Sequence, residues 1–246
     1  MKNRQVRRSY LARLGFGFAC ASFSWLLTAS PAAFADAEWT QTYDKDGIQV
    51  ATRPVEGSSI HAFRAEVEVD ASIDSLLAVL ADPDACARWI HNCKMAKVLA
   101  STGFYQRDTY QINDMPWPVQ DRDLALEVRI HELANGSFRL DMINQPESVP
   151  EGELVRIRQY EGSYLLTPLE SGGTRIEWEQ HTDPGGSLPA WLINQLLVDV
   201  PVNTLKQLRE IANEEPYRDQ VLKRNRNGEI LGWRPRGGEL QQVSAL

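Results

Sequence analysis

From Lys94 to about His181 the chain offers one strand-period segment after another, and nowhere between them a stretch long enough for a helical crossover. Ala96–Ser101, Tyr105–Asn113, Asp123–His131, Ser137–Asn144, Leu154–Thr167 and Thr174–Thr182 are the strand candidates, divided by turn signals. Within one of them Leu124, Leu126, Val128 and Ile130 alternate with Ala125, Glu127, Arg129 and His131, the period of a half-buried strand. Consecutive strands without helical crossovers can only return on themselves, so an antiparallel meander is expected and parallel βαβ folds are excluded. Ile48–Arg53 and His61–Val69 read as two further strands, preceded by a lead-in over 36–47 that ends at the turn Asp46-Gly47. Ser72 can cap a helix carrying Leu76, Leu77, Val79 and Leu80, and Asp82-Pro83 opens a short one reaching Trp89. After Asp183-Pro184-Gly185-Gly186 the period becomes helical. Ile193, Leu197, Val200, Thr204, Leu208 and Ile211 form one stripe, with Pro201 inside it as a kink or turn.

The ends of the chain differ from this body. Lys2, Arg4, Arg7, Arg8 and Arg13 precede an apolar run, Leu14–Thr28, and then Ala33-Phe34-Ala35. That order reads as a cleaved secretory signal over 1–35, cut after Ala35, and implies a periplasmic protein. Arg7-Arg8 also resembles a twin-arginine signal. Without the leader, 21 Lys and Arg remain against 33 Asp and Glu, a net charge of −12. A body so acidic repels phosphate backbones, so no nucleic-acid partner is expected. Residues 216–246 are basic again and read as a loosely attached tail, where Asn227-Gly228 can close a small hairpin and Trp233 can pack.

Two cysteines remain after cleavage, Cys86 and Cys93, in an oxidising compartment. On one straight helix their Cα atoms would stand ~10 Å apart, beyond the ~7 Å limit for a disulfide. They either pair across a turn at His91-Asn92 or remain two buried thiols. His61, His91, His131 and His181 show no ligand spacing, so no metal site is expected, and no cofactor. A nucleophile elbow, a phosphate loop and a dinucleotide fingerprint are all missing from the sequence. Glu177 and Glu179 share a strand face, which suits solvent better than paired-carboxylate catalysis. His181 has no partner at a recognisable spacing for general-base work. Asp121-Arg122-Asp123 reads as a structural ion-paired cluster.

Three stretches carry a family resemblance. Pro116-Trp117-Pro118-Val119, followed by Asp121-Arg122-Asp123-Leu124, resembles the PWPxxxRD signature of START (StAR-related lipid-transfer) domains. Asp46-Gly47-Ile48, Val50, Arg53, Leu80, Asp82 and Trp89 are similar to that family's opening strands and helix. Asp183-Pro184-Gly185-Gly186, Leu188-Pro189, Trp191-Leu192 and Asn194 are similar to its lead into the last helix. The resemblance covers about residues 38–214. It implies an α+β helix-grip fold over 36–215, in which a curved antiparallel sheet wraps a long C-terminal helix and encloses a hydrophobic cavity. It further implies that the cavity binds a lipid or other hydrophobic small molecule, and can move it between membranes, without chemistry. A cyclase or aromatase using the same cavity is the alternative. The candidate lining is Trp117, Arg122, Trp178, Trp191, Ile193, Leu197, Val200 and Thr204. Of these, the tryptophans either line the cavity or pack the core, and Arg122 reads first as a structural ion pair. Sterol-binding members place a cavity arginine where this chain has Val128, so a sterol specificity does not carry over. A monomer with transient membrane contact is expected.

Overall fold

A computed structural model describes residues 38–235. The leader read over 1–35, its cleavage point and the last stretch of the tail, 236–246, lie outside the described residues. β1 (Thr40–Lys45) and β2 (Ile48–Arg53) form a hairpin whose turn residues, Asp46 and Gly47, have φ of 56° and 74°. The sequence reads β1 as a lead-in. It is an edge strand with hardly a buried side chain, so it has no apolar alternation to show. β3 (Ala62–Val69) buries Phe63, Ala65, Val67 and Val69, the face that its alternation requires.

The helical interlude follows. α1 (Ile73–Ala81) starts where the Ser72 hydroxyl accepts from the Ser75 N–H at 3.2 Å. A 3₁₀ turn (Pro83–Ala85) and the single-turn α2 (Cys86–Trp89) come next, and Asn92 at φ 63° reverses the chain. That reversal brings the Cα atoms of Cys86 and Cys93 to 5.8 Å, and the two are joined by a disulfide.

The meander is β4 (Cys93–Gly103), β5 (Gln106–Asn113), β6 (Arg122–Glu132), β7 (Phe138–Asn144), β9 (Gln159–Pro168) and β10 (Thr174–Asp183). The stretch expected as one strand, Leu154–Thr167, is two: a two-residue β8 (Val155–Arg156) lies parallel to the start of β6, and β9 begins after it. The sheet order is β1-β2-β3-β10-β9-β7-β6-β5-β4, and every neighbour on that path is antiparallel. Its concave face is covered by α3 (Ala190–Ile211), which packs on α1, α2, β2 and β3. This is the helix-grip arrangement. No described helix is long and apolar enough to cross a membrane.

The main core lies between Val50, Ala65, Val67, Leu166 and Ile176 of the sheet, Leu76 and Leu77 of α1, and Leu205, Leu208 and Ile211 of α3. Full burial of each large aliphatic side chain contributes about 1.5–3 kcal/mol. The segment after α3, expected as a loosely attached tail, is bound more firmly. β11 (Gln220–Arg224) and β12 (Ile230–Pro235) make a hairpin, and Ile230 and Trp233 join the core. The Leu222 N–H donates to Asp74 Oδ2 at 3.0 Å, and burial raises the Asp74 carboxyl above the usual carboxylate range. Arg224 adds an ion pair to Glu132 at 2.6 Å.

Candidate functional site

A cavity of about 190 Å³ opens between the sheet and the first half of α3. Strand periodicity builds its sheet wall. Trp178, Gln180 and Thr182 on β10, Leu124 and Leu126 on β6, and Gln111 and Asn113 on β5 are i, i+2 sets that face inwards. Ile193, Leu196, Leu197 and Val200 of α3 close one side, and the loop held by the disulfide contributes Trp89, Ile90, His91 and Asn92.

Aromatic packing fixes the floor. Tyr164 stacks on Trp178 with ring centroids 5.0 Å apart, and Phe63 meets the same indole edge-on at 4.8 Å. Three of the polar groups on the wall are chained together. The Tyr160 hydroxyl donates to Gln180 Oε1 at 2.9 Å, and Gln180 Nε2 donates to Thr182 Oγ1 at 2.9 Å. Burial raises the Tyr160 and Tyr164 hydroxyls well above an ordinary phenol, so both stay neutral donors. The indole N–H groups of Trp89 and Trp178 are buried with no hydrogen-bond partner among the described residues. Burial also lowers the His91 imidazole, against the pull of Asp199.

A second chamber of about 100 Å³ adjoins it, lined by residues of β4 to β7, β9, α1 and α2. Trp89, Ile90, Gln111, Leu126, Met142 and Tyr164 line both spaces, so the partition consists of side chains.

The three charges at the start of β6 go to three separate places. Asp121 accepts from Lys94 Nζ at 2.8 Å and from the Met115 N–H at 3.2 Å, which pins the Pro116–Val119 turn. Asp123 meets buried Arg156 through two hydrogen bonds of 2.8 and 2.9 Å and accepts from the Tyr110 hydroxyl at 2.9 Å. Burial pushes the Asp123 carboxyl up, but the bonds from Arg156 and Tyr110 outweigh it and hold it below the usual range. Arg122, expected in an ion pair, makes none among the described residues. It donates to the carbonyls of Pro184 at 3.3 Å, Gly185 at 3.1 Å and Gln120, and so ties β6 to the loop that leads into α3. Carbonyl partners suffice because a guanidinium spreads its charge over several donors. Burial lowers the pKa of the Arg122 guanidinium from its ordinary value, against the pull of Asp121.

Of the expected lining residues, Arg122, Trp178, Ile193, Leu197 and Val200 stand on the cavity wall. Trp117, Trp191 and Thr204 do not. Trp117 is 92% exposed, because the Pro116–Val119 turn carries its side chain off the sheet. Trp191 is 64% exposed; two residues before Ile193, it lies roughly 200° around the helix from it. Thr204 is on the right face but past Pro201, where packed core replaces the cavity. Its hydroxyl accepts from the His91 backbone N–H at 3.0 Å. Sequence reading missed Gln111, Tyr160, Tyr164 and Gln180, although the period-2 positions around Leu126 and Trp178 were the available signal.

Two groups weighed for catalysis, Glu179 and His181, are engaged structurally. Glu179 pairs with Arg53 at 3.1 Å and Arg64 at 2.9 Å. His181 Nε2 lies 3.0 Å from the Ser58 hydroxyl and 3.2 Å from the Ile60 carbonyl, and so braces the turn before β3.

Comparison with known proteins follows the same lines. A family model described as START domain matches residues 28–217. An uncharacterized protein of Pseudomonas aeruginosa is 34% identical over 178 residues, 72% of this chain and 88% of that one. The crystal structure of a STAR-related lipid transfer protein fragment from Xanthomonas axonopodis is 33% identical, with a TM-score of 0.67 over 72% of this chain and 99% of that one. The phosphatidylcholine transfer protein of Rattus norvegicus is 25% identical over 168 residues, 66% of this chain and 78% of its own length.

Proposed function

The chain belongs to the START domain family, and from that premise we propose that it binds one lipid or comparable hydrophobic small molecule and leaves it chemically unchanged. The observation that carries this reading is the cavity itself. Its helix wall of Ile193, Leu196, Leu197 and Val200 faces an aromatic floor of Tyr164 and Trp178, and its polar groups include the hydrogen-bonded chain Tyr160, Gln180 and Thr182 and the guanidinium of Arg122, which backbone carbonyls engage. Such a lining favours an apolar ligand and gives a few points at which to orient it. The test is organic extraction of protein purified under native conditions, followed by mass spectrometry. A stoichiometric lipid is expected. Extracts without lipid, from protein that also fails to bind a fluorescent fatty-acyl probe, would refute it.

The ligand leaves when the first half of α3 lifts, and this half is the natural moving part. Its N-cap, Pro189, makes no side-chain cap, and Pro201 removes the N–H that would bond the Leu197 carbonyl. Exposed Trp117 and Trp191 follow and precede wall residues Met115 and Ile193 by two positions each, and tryptophan is at home at a membrane–water interface. Transient docking on a bilayer through these two rings belongs to the proposal. Their fluorescence should shift to the blue with vesicles, and the shift should vanish in Trp117→Ala/Trp191→Ala. Export to the periplasm as a monomer, after cleavage behind Ala35, completes it. The basic and apolar order of residues 2–28 and Ala33-Phe34-Ala35 support export; N-terminal sequencing of the exported protein should begin at Asp36.

A further inference from the structure

Arg107, on β5, is a buried cation with no ion pair among the described residues and, unlike Arg122, with a terminal nitrogen that no carbonyl engages. It lies on the wall of the second chamber and is 5% exposed. Nη2 donates to the Leu80 carbonyl at 3.0 Å, while Nη1 is buried with no hydrogen-bond partner among the described residues. The other charges lining this chamber are engaged elsewhere. Asp82 accepts from the Asp84 N–H at 2.9 Å and from the Tyr217 hydroxyl at 2.5 Å, and the Lys97 ammonium sits 5.4 Å from the centre of the Tyr110 ring. Burial pushes the Arg107 guanidinium down to about 10, which leaves it a cation at neutral pH. A second orphan donor, Trp89 Nε1, belongs to a residue that lines the same chamber.

Burying a cation away from water without an opposite charge is unfavourable, and an apolar side chain of the same reach would remove that penalty. Two idle N–H donors and no idle acid describe a place prepared for an anion. We propose that the second chamber takes the acidic head of the ligand, a carboxylate or phosphate at the end of an apolar chain, which Arg107 and Trp89 bind through hydrogen bonds. The ligand then enters head first. Its chain lies in the larger cavity beneath α3, and its head passes the partition when the Gln111 and Met142 side chains turn. A guanidinium suits either anion, because its paired donors match both oxygens of a carboxylate or phosphate. This inference rests on the cavity being the lipid site.

The experiment uses the full chain, stripped of bound lipid, at about pH 8 so that a fatty acid is ionised. Binding of parinaric acid and of its methyl ester is followed by fluorescence in the wild type, Arg107→Met and Arg107→Lys. The wild type should prefer the acid over the ester by roughly tenfold or more. Arg107→Met should lose that preference and bind the ester as before, and Arg107→Lys should keep part of it. Because Met removes an uncompensated buried charge, the ligand-free Met variant should melt no lower than the wild type. Displacement by oleate, oleoyl lysophosphatidate or inorganic phosphate then separates a carboxylate head, a phosphate head and free phosphate; displacement by free phosphate alone overturns the proposal. So does equal binding of acid and ester by the wild type, a preference that survives in Arg107→Met, or a Met variant that melts lower and loses both probes. If neither probe binds the wild type, the cavity reading itself fails, and this inference with it.

Discussion

The two halves of α3 carry the same apolar stripe and do different work. Before Pro201, Ile193, Leu197 and Val200 are half-buried and line the cavity. Beyond it, Thr204, Leu205, Leu208 and Ile211 are fully buried in packed core. The second half is also fastened from outside: Lys206 pairs with Asp46 at 3.0 Å, and Arg209 donates to the Asp46 carbonyl at 3.0 Å. Nothing equivalent among the described contacts holds the first turn. The difference comes from what each half faces. The second half meets small and aliphatic side chains on β2 and β3 that interdigitate with it. The first half faces bulky rings and amides that hold one another at a distance. A binding site here is a stretch of core whose far wall has been braced.

The largest effect expected tests this directly. Leu205→Ala should destabilise the protein by about 2–5 kcal/mol, the range for a large core side chain cut to Ala, whereas Leu197→Ala should cost much less, since its side chain already borders open space. Equal losses in thermal unfolding would erase the distinction between the halves. Next, Leu197→Glu sets a carboxylate against an apolar ligand. It should weaken binding of a fluorescent fatty-acyl probe by roughly tenfold, or about 1.4 kcal/mol, with a native far-UV spectrum. Undiminished binding by the folded variant would place the ligand elsewhere.

A smaller effect sharpens the boundary. Thr204→Val removes the acceptor of the His91 N–H and should cost about 1 kcal/mol of stability. Ligand exchange should quicken, because this bond latches the disulfide loop to the helix just past Pro201. The smallest is a pH effect. The lowered His91 pKa means that the folded state favours neutral imidazole, so its contribution is present above the unfolded value of 6.5 and is lost as pH falls through the folded one. Asp46, held below its ordinary value by Lys206, works lower: its contribution is present above the unfolded 3.8 and fades as pH falls further. Hydrogen exchange, corrected for intrinsic rates, should therefore quicken slightly over 193–200 between pH 7 and pH 5.5 and stay unchanged over 204–211.

Much of this was legible in the sequence wherever burial imposes a period. The alternation in β3 and the stripe of α3 pointed to the sheet and the helix that covers it, and the motif around Arg122 to the family; β6 alternates in residue type, yet Arg122 to Val128 are buried without a break, Ala125 and Glu127 included. What escaped notice lacks a period. β1 has no buried face, and β8 is two residues long and brings Arg156 to Asp123. Trp117 and Trp191 show that an aromatic in a binding-family motif can still point to solvent when a turn or a helix angle turns it away. Pattern alone cannot divide the helix stripe, since cavity wall and core ask for the same residue types. Arg107 was unreadable for a related reason: a strand arginine ordinarily faces water, and only the completed sheet encloses it.

The pairing of β3 with β10 has one more consequence, for the order in which the molecule is made. Along the rest of the sheet path each strand pairs with one close by in the chain, but Val69 pairs with Thr174 and Ala65 with Trp178. Two locally stitched arrays thus meet at a single long-range seam, the slow kind of contact in folding. Phe63 and Trp178, in edge-on contact in the cavity floor, straddle that seam. Until residue 183 has left the ribosome, β3 offers a bare edge of unpaired backbone, which is a template for aggregation. The ligand-touching floor is therefore completed by the same late event that makes the chain safe from its neighbours.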